Sequence, residues 1–138
     1  MRLLAVDHGE KRIGIAISDE TSTIAAPLKV IEHVSRVIDA AQVADLAAQN
    51  NVFLIVIGQS FDDDGKPNPA GRRAGRFADE LINQTNIPVK LWDESFSTQD
   101  ARSARIQLGI SRKKRAGHQD AYAAVVILQS YLESTRPS

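Results

Sequence analysis

Short apolar runs alternate with longer amphipathic stretches along the chain. Leu3-Leu4-Ala5-Val6 reads as a buried strand, and His8-Gly9-Glu10-Lys11 as a tight turn after it. In Arg12–Ser18, Ile13, Ile15 and Ile17 fall at every second position, the period of a half-buried strand. Together they predict an antiparallel hairpin. A weaker third strand spans about Ile24 to Val30, where Pro27 suits a sheet edge. From Ser35 the period changes. Val37, Ile38, Ala41, Ala44 and Ala48 recur at helical spacing behind Ser35 as N-cap. Val52-Phe53-Leu54-Ile55-Val56-Ile57-Gly58 is apolar on both faces, as a central parallel strand requires.

Asn68 and Pro69 form a helix start, with Pro at the first helical position. This helix should turn Phe77, Leu81 and Ile82 inward and end near Asn86. Pro88 to Trp92 predicts another strand. Ser97 caps a helix to about Leu108, stopped by Gly109. A last helix starts near Gly117 or His118 and runs to about Glu133. The order β-β-β-α-β-α-β-α-α predicts an α/β fold, a mixed five-stranded sheet with helices on both faces. No repeat or linker divides the chain, so residues 1–138 read as one domain.

Composition narrows the chemistry. With 43% hydrophobic and 25% charged residues, the chain can bury a core and is not of disordered type. The absence of cysteine excludes disulfides, thiolate zinc sites and a cysteine nucleophile. The longest apolar run, Ala121 to Leu128, is far short of the roughly 20 residues that span a bilayer. Asp7 interrupts the apolar start too early for an export signal. A soluble, cytoplasmic protein with no membrane partner is expected. The 17 basic and 17 acidic residues cancel, so overall charge does not drive nucleic-acid binding.

Three acids stand at element ends. Asp7 follows the first strand, Asp93-Glu94 follows the last, and Asp120 opens the most apolar helix. In an open sheet, the carboxyl ends of parallel strands line the ligand crevice. Converging carboxylates repel one another, and burial makes their ionisation costly. A divalent cation relieves both, and oxygen-only ligands favour Mg²⁺ or Mn²⁺. Paired ions of this kind can activate water and stabilise the leaving oxygen of a phosphodiester. Each acid also has a plainer reading: a turn start at Asp7, a solvated strand end at Asp93-Glu94, a helix-dipole complement at Asp120. In strand geometry Asp93 and Glu94 point apart, so at most one is a ligand.

The stretch Asp7-His8-Gly9-Glu10-Lys11-Arg12-Ile13-Gly14-Ile15-Ala16-Ile17-Ser18-Asp19 resembles the N-terminal motif of the YqgF (RuvX) family. Trp92-Asp93-Glu94-Ser95-Phe96-Ser97-Thr98 and Asp120-Ala121-Tyr122-Ala123-Ala124 resemble its second and third motifs, in order and at fitting separations. The resemblance covers essentially the whole chain. It implies a ribonuclease-H-like fold related to the resolvase RuvC. It also implies a nuclease of precursor 16S rRNA, with junction-resolvase-like activity as the alternative. By position, the catalytic and metal-binding carboxylates are Asp7, Glu94 and Asp120. Two places depart from the family: the loop Ile57-Gly58-Gln59-Ser60-Phe61 stands where Gly-Leu-Pro is usual, and His8 replaces a usually small or aliphatic residue. His8 reads as a tolerated turn residue or as a phosphate or metal-tuning contact.

Between Arg102 and Arg115 lie six basic residues and no acids. Arg112, Lys113, Lys114 and Arg115, with Lys11 and Arg12 near Asp7, are the candidate nucleic-acid contacts, because Lys and Arg supply most sequence-independent affinity for phosphates. Arg72, Arg73 and Arg76 read as an exposed helix face. Asp62-Asp63-Asp64-Gly65 lacks the carboxylate an EF-hand needs at its first and twelfth positions and reads as a turn. The favoured expectation is a metal-dependent nuclease on structured RNA. Alternatives are a resolvase of branched DNA, which needs a homodimer for two symmetric cuts, and a non-catalytic ribosome-maturation factor. An actin-like ATPase is disfavoured by length.

Overall fold

A computed structural model describes residues 1–96 and 119–135. Five strands form one mixed sheet: β1 Arg2–His8, β2 Arg12–Ser18, β3 Ala25–Glu32, β4 Val52–Gln59 and β5 Val89–Asp93. Their order is β3-β2-β1-β4-β5. The hairpin β1–β2 and the pair β2–β3 are antiparallel, whereas β4 runs parallel to both β1 and β5. Helices α1 Arg36–Gln49 and α2 Pro69–Gln84 cover one face. Helix α3 Gln119–Thr135 covers the other. The predicted helix from Ser97 to Leu108 and the basic stretch Arg102 to Arg115 lie outside the described residues.

Local chemistry sets the helix starts. The Ser35 hydroxyl accepts from the Ile38 N–H at 3.2 Å, and the Asn68 side-chain Oδ1 accepts from the Gly71 N–H at 2.8 Å. Pro69 occupies the first turn of α2, where no N–H is needed. In the acidic turn, Asp62 accepts from the N–H groups of Asp64 and Lys66, and Gly65 takes φ +81°.

The alternation along β1 distributes the core. Leu4 and Val6 join Ile55, Ile57, Phe77 and Leu81 under α1 and α2. Leu3 and Ala5 join Val56, Val125, Leu128 and Leu132 under α3. Three expectations are corrected here. β2 is buried on both faces, because α3 covers Ala16 as the other layer covers Ile13 and Ile15. The buried stripe of α1 is Asp39, Ala40, Val43 and Ala47, while Val37, Ile38 and Ala48 face solvent. In α2, Phe77 and Leu81 point inward but Ile82 is exposed, because Ala74 and Ala78 complete the narrow stripe against the sheet.

Polar bonds pin α3 across the sheet. Buried Gln129 accepts from the Ala25 N–H at 3.0 Å and donates to the Thr23 carbonyl at 3.2 Å. At the opposite edge the Trp92 indole N–H donates to the Ser130 hydroxyl at 3.2 Å, and its ring meets Tyr131 edge-on at 5.2 Å. These bonds, with the packing beneath, hold the first turn of α3 at the carboxyl edge of β1, β4 and β5.

Candidate active site

Asp7 sits next to last in β1, on the side of Leu3 and Ala5, and therefore faces α3. Glu94 begins a 3-10 turn, Glu94–Phe96, directly after β5. Asp93 serves that turn: its carboxylate accepts from the Ser95 N–H at 2.9 Å. Asp93 thus caps the turn, and Glu94 is the one that lines a cavity with Asp7. Asp7, Glu94, Tyr122, Ala123, Val126 and Ile127 line one cavity of about 250 Å³.

Asp120 occupies the second position of α3, three residues before Ala123 and seven before Ile127, at the helix end that reaches this cavity. Its side chain lies outside the described residues. Among the described residues no group of three metal-ligating side chains occurs. Lys11 and Arg12 stand exposed at the hairpin turn on the same sheet edge. Arg112 to Arg115 lie outside the described residues.

Burial raises the Glu94 carboxyl above the ordinary glutamate value, and the neighbouring Asp93 charge raises it further. The folded protein therefore holds that proton more tightly than the unfolded chain. Between the ordinary value and the raised one, metal-free stability falls as pH rises, and the penalty persists at neutral pH. Glu94→Gln removes it. The variant should melt higher than the parent at pH 7 in chelator, with the gap closing below about pH 4.5. A lower melting temperature at pH 7 would count against this account.

Gly58 is a site residue that periodicity did not single out. A Cβ there would lie 2.5 Å from the Ile127 methyl and 2.8 Å from the Glu94 carboxylate oxygen. The only available signal was a glycine closing an otherwise apolar strand, which marks close approach of another group. The departure at Gln59-Ser60 also has a local account. The Gln59 amide donates to the Gly71 carbonyl at 3.0 Å, and the Ser60 hydroxyl donates to the Asn68 side chain at 2.7 Å. Both tie the β4–α2 connection down.

His8 is not a turn residue. It ends β1 on the face opposite Asp7, its ring 4.7 Å from that of Phe77. Burial lowers its pKa, against a raising effect from Asp39.

A family model described as RuvX, Holliday junction resolvase, matches residues 1–134. The chain belongs to the RuvX family. A relative in Anaeromyxobacter sp. is 39% identical over 133 residues, covering 96% of this chain and 97% of its own. One in Bacillus cytotoxicus is 40% identical, covering 97% and 99%. Both are provisionally named pre-16S rRNA nucleases. Thermus thermophilus RuvC superposes with TM-score 0.68 at 13% identity, covering 97% of this chain and 95% of that one. Its complex with a Holliday junction superposes with TM-score 0.66 at 16% identity, covering 98% and 96%. That likeness shows the ribonuclease-H-like fold. As a RuvX-family chain, the protein is a nuclease, a hydrolase of phosphodiester bonds. Among the described residues, no helix of this RuvX-family chain is long and apolar enough to cross a membrane.

Proposed function

We propose that the protein is a divalent-metal-dependent nuclease that trims precursor 16S rRNA, with Asp7, Glu94 and Asp120 as catalytic carboxylates. The observation that carries this is the meeting of Asp7 and Glu94 on one cavity against the first turn of α3. The donor set fits a hard cation, because it offers oxygen only and burial disfavours the charged form of Glu94. Mg²⁺ or Mn²⁺ held there would neutralise the acids, activate water and stabilise the leaving oxygen.

The remaining work falls to the chain itself. Asp7 and Glu94 approach from two strands that belong to one sheet, so their separation is set by backbone pairing through β4. Lys11 and Arg12 on the hairpin, and Arg112, Lys113, Lys114 and Arg115 before α3, would hold backbone phosphates of the strand being cut. The raised Glu94 carboxyl makes protons compete with the cation, so cleavage should fall toward acid pH.

The names of the relatives favour the rRNA precursor, and the family description favours a four-way DNA junction as the second substrate. The deciding experiment is a cleavage panel of precursor rRNA, single strands and four-way junctions, with Mg²⁺ or Mn²⁺ and with chelator. Cleavage of the rRNA precursor that stops in chelator and returns with metal is the expected result. Paired symmetric cuts in the junction alone, by a dimer, would move the assignment to junction resolution. Binding without scission under every condition would leave only a maturation factor.

A further inference from the structure

On the opposite face of β1 lies a second cavity, of about 320 Å³, lined by His8, His33, Ser35, Arg36, Arg73 and Arg76 together with Gly9 and Glu10. It brings three guanidinium groups together with one acid. That acid, Glu10, reaches Arg73 at 3.4 Å, but its side chain is 72% exposed, so the pairing is weak. Among the described residues neither Arg36 nor Arg76 has a carboxylate partner. Asp39, fully buried in the first turn of α1, is committed elsewhere. It holds the His33 ring Nδ1 at 2.5 Å and accepts from the Val34 N–H at 3.0 Å.

Two polar atoms of the lining are buried without a partner: His8 Nδ1 and Arg73 Nε. Buried polar atoms without a partner are rare and call for a ligand or a reason. Asp39, His33, Arg73 and Arg36 all lie close enough for their charges to act on His8, the Asp39 carboxylate most strongly among them. The N-terminus of α1, at Ser35 and Arg36, adds its partial positive charge to the same space.

We propose that this cavity is a phosphate-binding site formed by His8, Arg36, Arg73 and Arg76. A tetrahedral oxyanion relieves the repulsion among the three cations and matches the planar fork of each guanidinium. The site borders the carboxylate cavity through one strand, since His8 and Asp7 are neighbours on opposite faces of β1. Its natural occupant is a backbone phosphate of the nucleic acid being cut, a source that rests on the nuclease reading. A small free phosphate has the same chemistry, and the test separates the two.

Inorganic phosphate is titrated into metal-free protein, following arginine and histidine side-chain resonances. The parent is compared with Arg36→Gln/Arg76→Gln, both exposed positions, and with Asp7→Asn. Saturable binding is expected in the parent and in Asp7→Asn, weakened at least about tenfold in the double variant. Lack of saturation, or equal binding in the double variant, overturns the site. In a second arm, an RNA oligonucleotide is bound in chelator. If a backbone phosphate is the occupant, phosphate displaces the oligonucleotide, and the double variant lowers the slope of log affinity against log salt by about one. If phosphate binds without displacing the oligonucleotide, the site serves a free phosphate. Cleavage with metal is scored separately, so failure of the nuclease reading leaves the phosphate titration intact and recognisable.

Discussion

Asp7→Asn is expected to abolish metal-dependent cleavage, with a loss of at least about 100-fold. The substitution keeps shape and hydrogen-bonding reach but removes the charge that a cation requires. Groups that merely support a metal ligand typically change activity by about 10–100-fold, and a ligand itself should exceed that range. The substituted protein should remain folded, so that a loss of cleavage reports on chemistry and not on unfolding. Asp120→Asn should behave alike if the first turn of α3 completes the set. The measurement is single-turnover cleavage of the rRNA precursor, with a melting curve as control. Full activity in a folded Asp7→Asn protein would remove Asp7 from the catalytic assignment.

Gly58→Ala should produce the second large effect without replacing any titratable group. The new methyl needs space held by the Ile127 methyl at 2.5 Å and by Glu94 at 2.8 Å. Both neighbours are side chains, so the fold can adjust, at an overpacking cost of about 1–3 kcal/mol. Ile127 can turn away, but Glu94 yields by moving the carboxylate that shares a cavity with Asp7. Displacing a reacting or positioning group by about 1 Å can cost about 100-fold in rate. A folded Gly58→Ala protein should therefore cleave at least tenfold more slowly, and adding Ile127→Val should restore stability more than activity. Parental cleavage rates in Gly58→Ala would show that Glu94 is not held against β4 for catalysis.

Much of the architecture was legible because burial imposes period. The hairpin, the doubly buried β4 and both capped helices follow from apolar spacing and from Ser35 and Asn68. Faces were less legible. Ile82 and Val37 fit a helical period as well as their buried neighbours do, and only docking against a sheet decides which side turns inward. The alternation in β2 hid its second buried face, since Gly14 and Ala16 are small enough to look unpatterned until α3 lies over them.

The candidate site divides in the same way. Motif order marked Asp7 and Glu94, and elementary strand geometry already allowed only one of Asp93 and Glu94 to face a given side. Which one does so depends on Asp93 capping the turn after β5. Gly58, and the Arg36, Arg73 and Arg76 cluster around His8, come from separate segments with no local signature. They meet because β1, β4 and two helix starts share one edge of the sheet. The sequence by itself determined the described elements and the family, and it supplied the carboxylates of the proposed site. Only the tertiary structure decided which residues converge, because convergence comes from packing between distant segments and period acts only within one.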